Sequence, residues 1–344
     1  MKIDFLIAGQ GLAGSLLADA LQKAGATIRI VDPEREITSS SVAAGILHPI
    51  TGRRIVKTWM ADQLIPSAIE KYRSIDPQLF TSKPILEIFT SIQQQNEWMN
   101  KSADENMKLW MGSSIHPDQN ISGVQLPHGG ISITNTGWLD VRLLMEKYKN
   151  TFNSQGVFIK DEIKESTLIF ENNEVKWNDF TASAIIFCNG WRAAHNTSFS
   201  YLPFVPAKGE IMEIYCEGLN ENFILNRGIY IIPTGNHYFK VGATFNWDDL
   251  TEAPTENGRS FLTNALEKIV NLPYSVTWHA AAVRPANKDR RPFIGMHHQH
   301  KQLGIFNGLG TKGAMMAPYF AQHFTDYLLH GKELIREVSI ERFL

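Results

Sequence analysis

The chain has 344 residues, which is enough for one large hydrophobic core or for two domains. Its 33 basic and 35 acidic residues give a net charge of −2, so no excess of charge favours nucleic acid or an anionic membrane as a partner. Two cysteines are too few for a disulfide framework or a metal cluster, no apolar run reaches the ~20 residues of a membrane span, and the first strand begins too early for a signal peptide, so we expect a cytoplasmic protein.

The chain begins with the pattern of a dinucleotide-binding βα unit. An apolar strand candidate is followed by GQGLAG at residues 9–14, by a helix with one apolar face, and by a second strand that ends at Asp32. Gly9 allows a tight turn, Gly11 lets the backbone approach a pyrophosphate, and Gly14 lets the helix pack closely on the strand. The helix N-terminus favours phosphate, and Asp32 can accept hydrogen bonds from a ribose diol. The alternative is a glycine-rich turn that binds nothing.

Further elements follow in chain order. Helices are predicted over residues 55–75, with a kink or break at Pro66, and over residues 138–149. A glycine-rich loop at residues 308–313 precedes a last helix that ends near residue 329. Strand patterns cover residues 85–90, 130–134, 184–188, 211–215, 228–232, 238–244 and 304–307.

This order interleaves α/β elements with β-rich insertions, which predicts a discontinuous protein of two domains. We expect the ligand site in the cleft between them. The predicted nucleotide-binding domain comprises residues 1–79, 134–205 and 280–344, and the predicted antiparallel substrate domain comprises residues 80–133 and 206–279.

Several motifs together resemble the FAD-dependent amine and amino-acid oxidases of the D-amino acid oxidase superfamily, especially the glycine and sarcosine oxidases. Residues 188–190, 205–210 and 281–295 also resemble the FAD domain of the bifunctional enzyme of tRNA 5-methylaminomethyl-2-thiouridine biosynthesis. The motifs span essentially the whole chain: IAGQGLAG at 7–14, IVDP at 30–33, SSSVAAGIL at 39–47, YIIP at 230–233, VGAT at 241–244, AVRPANKDRRPFIG at 282–295 and NGLGTKG at 307–313.

The resemblance implies an α/β, Rossmann-like FAD-binding domain of the glutathione reductase type, discontinuous in sequence, and an α+β substrate domain with an antiparallel sheet. It implies FAD rather than NAD, and noncovalent FAD, because residues 282–313 contain no cysteine at which some relatives attach flavin. The cofactor-binding residues that it implies are Gly9, Gly11, Leu12, Ala13, Gly14, Asp32, Pro33, Ser39, Ser40, Ser41, Ala43, Ala44, Gly45, Val157, Asn189, Gly190, Gly308, Leu309, Gly310, Thr311, Lys312 and Gly313.

Two of these positions carry a specific expectation. By resemblance, the backbone of Val157 meets the adenine, and the loop at residues 308–313 lies against the isoalloxazine. Backbone N–H groups of that loop, with Lys312 nearby, would stabilise negative charge on the reduced flavin. An ordinary helix cap with an exposed lysine is the alternative.

Four residues are candidates for the substrate site. By resemblance, Arg284 binds the substrate carboxylate through its planar guanidinium; the alternative is a surface arginine paired with Asp289. Tyr230 is expected to line the same pocket and Phe245 to flank the substrate, although packing explains both equally well. His48 lies at a position near the flavin, where it either contacts substrate or is structural.

The predicted activity is oxidation of the C–N bond of a primary or secondary amine that carries a carboxylate. Hydride transfer to flavin N5 gives an imine that hydrolyses, and oxygen or a carrier takes the electrons. One alternative is a non-catalytic flavin-binding protein. The other is an oxidase that removes a carboxymethyl group from a wobble uridine of tRNA, although nucleic acid is not the expected partner. A basic rim would favour it: Arg53, Arg54, Lys288, Arg290 and Arg291.

A histidine-rich segment offers a metal site only superficially. His297, His298 and His300 have no acidic or cysteine partner at ligand spacing, so we expect them on the surface and predict no bound metal.

Overall fold

A computed structural model describes residues 1–51 and 54–344. The chain divides into two compact units, each assembled from separate segments. Unit 1 comprises Met1–Ala43, Val141–Ala207 and Val283–Leu344, and unit 2 comprises Ala44–Asp140 and Lys208–Ala282.

The secondary structure alternates between the two units along the chain. The strands are β1 (Lys2–Ala8), β2 (Ile28–Asp32), β3 (Ile46–Leu47), β4 (Ile50–Thr51), β5 (Val56–Lys57), β6 (Phe80–Ser82), β7 (Ile85–Ile88), β8 (Met111–Ile115), β9 (Gly130–Ile133), β10 (Gly137–Leu139), β11 (Phe158–Lys160), β12 (Ile169–Glu171), β13 (Glu174–Trp177), β14 (Phe180–Phe187), β15 (Ala207–Tyr215), β16 (Ile224–Asn226), β17 (Tyr230–Gly235), β18 (Tyr238–Gly242), β19 (Ser275–Arg284), β20 (Phe293–Met296) and β21 (Leu303–Asn307). The α-helices are α1 (Leu12–Lys23), α2 (Ser39–Val42), α3 (Ala61–Ile75), α4 (Ile92–Ser102), α5 (Val141–Ser154), α6 (Glu256–Leu266) and α7 (Gly313–His330). Short 3₁₀ turns occur at Pro77–Leu79, Glu165–Thr167, Gly190–His195, Gly310–Lys312 and Ile340–Phe343.

Unit 1 is built on a mixed sheet of eight strands in the order β11-β2-β1-β14-β13-β12, with β21 beside β14 and β20 beside β21. Strands β11, β2, β1, β14 and β21 run parallel. The apolar run 184–187 of β14 is buried on both faces, as expected of a central parallel strand. The carboxyl ends of the parallel strands therefore meet at one edge of the sheet, which is where α/β proteins bind ligands.

Unit 2 contains a second eight-stranded sheet in the order β19-β15-β18-β17-β16-β7-β9-β8. The β7–β16 pair is parallel, whereas the pairs β15–β18, β18–β17, β17–β16, β7–β9 and β9–β8 are antiparallel. One face of this sheet packs in an apolar core with helix α6. Core residues of this face include Leu86, Met212, Leu225, Ile231, Phe239 and Leu262.

Two local predictions need correction. The helix predicted from residue 138 begins only at Val141, because Trp138 pairs with Ile46 in the short strand β10. The helix predicted over residues 55–75 begins only at Ala61, after strand β5, and it is not broken at Pro66. No helix of the described residues combines the length and apolarity that crossing a membrane requires.

The segment assignment also differs from the predicted one. Residues 44–79 and 134–140, which were predicted to lie in the nucleotide-binding domain, group with unit 2. Pairing of β3 and β6 with β10 explains this grouping, because β10 itself lies in unit 2. The roles of the two units stay predictions.

Candidate functional site

The first βα turn of unit 1 has room only for glycine at two of its positions. Gly9 has φ +109°, and a Cβ there would lie 2.7 Å from the carbonyl oxygen of Cys188. A Cβ on Gly14 would lie 1.9 Å from the carbonyl oxygen of Gly9. Helix α1 therefore packs against the turn at a distance that any side chain would prevent.

The turn also holds an oriented carboxylate. Asp32 Oδ2 accepts the Gln10 N–H at 2.7 Å, and Oδ1 accepts the Glu34 N–H at 2.7 Å. At the start of α1, the Leu12 N–H donates to Ser40 Oγ at 3.0 Å. A carboxylate has about four lone-pair sites, so Asp32 retains capacity for a hydroxyl donor.

The segment that the resemblance assigns to flavin begins with α2. The Thr38 hydroxyl caps this short helix by accepting the Ser41 N–H, and the Ser41 hydroxyl accepts the Thr38 N–H. Within unit 2, Gly45 has φ +75°, and a Cβ there would lie 2.0 Å from the Leu139 carbonyl oxygen. Glycine is therefore required where the segment leaves α2.

The glycine loop that opens α7 is held by backbone and amide hydrogen bonds within unit 1. Gly308 and Gly310 have φ of +71° and +55°. The Asn287 side-chain amide donates to the Gly308 carbonyl at 2.8 Å, and the Gly310 N–H donates to the Pro285 carbonyl at 3.1 Å. These bonds place the loop beside the end of β19, the strand that carries Arg284.

A second amide links the loop to β14. The Asn307 side-chain amide donates to the Gly190 carbonyl at 2.9 Å, and its oxygen accepts the Gly308 N–H at 2.8 Å. Two acceptors in this region, Asn189 Oδ1 and Asn287 Oδ1, are buried without a hydrogen-bond partner in the described part of the chain. Because unpaired buried acceptors cost free energy, they indicate a site for a ligand donor.

Two cations in unit 1 are partly desolvated. Burial, with the nearby charges of Arg290 and Arg291, lowers the pKa of Lys312 to about 8. Burial lowers the pKa of Arg284 to about 10. Both groups remain mainly protonated at pH 7, and a bound anion would stabilise their charged forms.

These features fit a bound dinucleotide. The crowded glycines at positions 9 and 14, the oriented Asp32 carboxylate and the unpaired Asn189 oxygen belong to elements that meet at the carboxyl edge of the unit 1 sheet. The described residues thus supply a turn, a hydroxyl-binding carboxylate and a helix N-terminus for phosphate.

Val157 does not fit the role assigned to it. It precedes β11 at the amino end of that strand, whereas Asp32 pairs with Lys160 at the carboxyl end. Both of its backbone groups are used: the N–H donates to Phe152 and the carbonyl accepts from Ile30. An adenine contact through this backbone is not supported, and residues 161–163, which follow β11, are better placed.

Within unit 2, the structure brings together two of the predicted substrate residues. The ring centroids of His48 and Tyr230 lie 5.8 Å apart at an interplanar angle of 65°. Burial, followed by the charge of Glu87, raises the pKa of Tyr230 well above its usual value. Phe245 is 47% exposed and packs against Trp247, with ring centroids 5.0 Å apart.

A buried acid two strands away from Tyr230 was not predicted from the sequence. Glu87 on β7 is 8% exposed, and its Oε2 accepts a hydrogen bond from the Asn226 amide at 2.5 Å. Burial raises the pKa of Glu87 to about 7, although the hydrogen bond from Asn226 acts in the opposite direction and lowers this pKa. The available signal was one charged residue inside the apolar strand at residues 85–89.

Two of the three clustered histidines, His298 and His300, are exposed as predicted, and His297 is not. His297 is 4% exposed, because its Nδ1 accepts the backbone N–H groups of Gln299 and His300 and so folds the segment over the ring. Across residues 1–51 and 54–344, no group of three or more His, Cys, Asp or Glu side chains could hold a metal ion.

The predicted basic rim is only partly described. Arg53 lies outside the described residues, whereas Arg54, Lys288 and Arg290 are exposed. Arg291 is partly buried.

Comparison with known proteins identifies one family and several individual relatives. The family described as "DAO: FAD dependent oxidoreductase" matches residues 4–327. A tRNA 5-methylaminomethyl-2-thiouridine biosynthesis bifunctional protein of Legionella pneumophila (strain Lens) is 23% identical over 317 residues, covering 84% of this chain and 45% of that protein. The chain thus spans about half the length of this relative.

Two oxidases are also similar. A glycine oxidase of Pseudomonas putida is 30% identical over 137 residues, which are 39% of this chain and 38% of that protein. The crystal structure of an iminodiacetate oxidase from Chelativorans superposes with a TM-score of 0.78 at 21% identity, covering 98% of each chain. At this identity the superposition establishes a shared fold.

Proposed function

The chain belongs to the FAD dependent oxidoreductase family, and from this premise we propose that it oxidises the carbon–nitrogen bond of a primary or secondary amine that carries a carboxylate. FAD, when bound, supplies the acceptor for the hydride equivalent that leaves the carbon next to nitrogen. The resulting imine reacts with water and gives a keto acid or glyoxylate. Noncovalent FAD binding is part of the proposal, with Asp32 and the turn at residues 9–14 as its main protein contacts.

The observation that carries the proposal is the partly desolvated arginine at the end of β19. Arg284 lies next to Pro285, whose carbonyl anchors the glycine loop through Gly310. A guanidinium whose pKa is lowered by burial gains from an anionic partner, and its planar fork matches a carboxylate. We assign Arg284 the role of binding and orienting the substrate carboxylate.

Tyr230 and His48 lie together within unit 2, and we assign both to substrate binding. Because burial raises the pKa of the Tyr230 hydroxyl, this group stays protonated at neutral pH and is able to donate a hydrogen bond. The His48 ring lies against it and limits its movement. No dedicated base is required if the amine binds in its neutral form.

The names of the related oxidases agree with this substrate class. Glycine and iminodiacetate both carry a carboxylate on the carbon attached to nitrogen, and they are a primary and a secondary amine respectively. The likeness to the bifunctional tRNA biosynthesis protein supports a second candidate, oxidation of a carboxymethylaminomethyl group on tRNA. Its substituent shares the carboxylate and the secondary amine.

Product analysis tests the proposal. The purified yellow protein is incubated with amino acids, N-substituted glycines and carboxymethylaminomethyl-modified tRNA, with oxygen or an artificial dye as acceptor. Formation of a keto acid or glyoxylate from a free amine supports the main proposal, and glyoxylate from tRNA alone supports the second. A protein that retains FAD and oxidises none of them would be a non-catalytic flavin-binding protein.

A further inference from the structure

Three polar residues form a row across neighbouring strands of unit 2. Asn226 on β16 pairs in register with Glu87 on β7 and with Tyr230 on β17. Residues paired in register point to the same side of a sheet. We call Glu87, Asn226 and Tyr230 the polar row.

The polar row lies on the sheet face opposite the apolar core. Leu86 and Ile88 flank Glu87 and belong to the core, as do Leu225 and Ile231, which flank Asn226 and Tyr230. Because side chains alternate along a strand, the polar row points away from that core. Contact between the rings of His48 and Tyr230 places the row on the face that carries the predicted substrate residues.

The Glu87 carboxylate is only half satisfied. Its Oε2 accepts from Asn226, while no donor to Oε1 and no ion pair with Glu87 occur within residues 1–51 and 54–344. An acid that is 8% exposed with one amide donor is costly to ionise. A cationic partner would recover this cost, whereas an anion would add repulsion.

We propose that Glu87, held by Asn226, binds an ammonium group of the substrate; this inference rests on the proposed function. The bound group is either the amine that is oxidised, which passes its proton to Glu87 before the carbon loses hydride, or a second amine farther along the substrate, which stays protonated. In the sheet, β7 lies on the side of β17 away from β15 and β19, so the subsite extends from Tyr230 along the polar row. Glu87 would then select amines over isosteric hydrocarbons.

Two matched ligand pairs distinguish the two sources of the ammonium group. 2-Aminoisobutyrate carries an amino group on the carbon next to the carboxylate, where pivalate carries a methyl group, and the two are otherwise identical. Neither compound has a hydrogen on that carbon, so neither can be oxidised there. 5-Aminovalerate and hexanoate differ in the same way at the distal end. Each ligand is titrated anaerobically into the FAD-loaded protein, and binding is read from the perturbation of the flavin absorbance.

We expect the wild-type protein to bind the amino member of one pair at least tenfold more tightly than its methyl counterpart. Glu87→Gln, which keeps side-chain size and removes the charge, should lose this preference and still bind the methyl ligands. As a matched control, Glu213→Gln changes a partly buried acid of the same sheet that accepts from Thr277 at 2.9 Å, and it should keep the preference. The pair that shows the effect identifies the amine that is bound.

Equal binding within both pairs by the wild-type protein, or a preference that survives Glu87→Gln, would overturn the subsite. If no carboxylate binds to the wild-type protein, the proposed function fails and the subsite fails with it. If Glu87→Gln does not retain FAD, Asn226→Ala replaces it. That variant removes the bond that holds the carboxylate, so it should weaken the same preference, and an unchanged preference would contradict the proposal.

Discussion

The glycine turn of unit 1 and the polar row of unit 2 both belong to proposed ligand sites, but they are encoded differently. In the turn, Gly14 is fixed by the backbone carbonyl of Gly9, five residues earlier, and Gly9 is fixed by its positive φ and by the backbone carbonyl of Cys188. In the row, Glu87 meets Asn226 across 139 positions through strand register. A backbone constraint selects one residue type and leaves a motif, whereas a register contact places ordinary residues together and leaves none.

The largest expected effect separates two glycines of the turn. Gly14→Ala would bring a Cβ to 1.9 Å from a backbone carbonyl, which no side-chain movement relieves, so we expect a loss of about 4 kcal/mol or more in the free energy of unfolding. Gly11→Ala is the matched control, because its Cβ would meet only the Ser40 hydroxyl at 3.2 Å. It should fold and bind FAD more weakly. Urea unfolding of the two apoproteins measures the difference, and equal stability would contradict the assigned packing.

The second prediction tests the role of the Arg284 guanidinium at the end of β19. Arg284→Ala should retain FAD and lose about 3 kcal/mol of transition-state binding, roughly a hundredfold or more in kcat/KM, and Arg284→Lys should recover only part of it. An amine without the carboxylate serves as the control substrate, since it never uses the guanidinium. Equal losses for both substrates would make Arg284 structural.

A third prediction concerns the polar row in the absence of any ligand. Burial raises the pKa of Glu87 from 4.5 in the unfolded chain to about 7 in the folded one. The raised pKa therefore contributes about 3 kcal/mol to the free energy of unfolding. This contribution is complete below pH 4.5 and is lost as the pH rises through 7. The Tyr230 hydroxyl stays protonated over this range, because its pKa is raised well above 10.

Glu87→Gln lacks this titration. Its free energy of unfolding relative to wild type should therefore increase by about 3 kcal/mol between pH 4.5 and pH 8, measured on apoprotein by urea unfolding. Glu213→Gln is the control from the same sheet. A pH-independent difference for Glu87→Gln would show that the carboxyl is solvated.

The smallest expected effect comes from the glycine loop. Lys312→Met should retain FAD and make the flavin harder to reduce by about 1 kcal/mol, roughly 20 mV for two electrons, because a partly buried positive charge is removed. The measurement is equilibration with a reference dye. Lys288→Met removes an exposed charge and should leave the potential unchanged. A Lys312→Met protein with the wild-type potential would place this side chain away from the flavin.

The difference between backbone constraints and register contacts also explains which parts of the fold could be predicted from the sequence. Strand β1, the glycine turn, α1 and β2 follow from local periodicity and glycine spacing, and they form as predicted. Strand β10 was missed because three residues next to an amphipathic helix carry no period of their own. Their partner β3 is about ninety positions away, and this pairing draws residues 44–79 into unit 2.

The site residues show the same limit. Motif positions such as Asp32 and Gly308 lie where the fold needs an oriented carboxylate or a left-handed backbone. Val157 was misplaced because resemblance fixes a neighbourhood, whereas only strand direction shows which end of β11 faces the ligand edge. Glu87 stands out in the sequence as one charge inside an apolar strand, but its pairing with Asn226 follows only from the register of β7 against β16.

Anaerobic reduction of the bound flavin tests the central claim most directly. The FAD-loaded protein is mixed without oxygen with glycine, sarcosine and iminodiacetate, and separately with methylamine and dimethylamine, which lack the carboxylate. We predict that the flavin absorbance at about 450 nm falls with at least one carboxylate-bearing amine and stays unchanged with both amines that lack it. Reduction by the simple amines at equal rates, or by none of the five, would contradict the assignment.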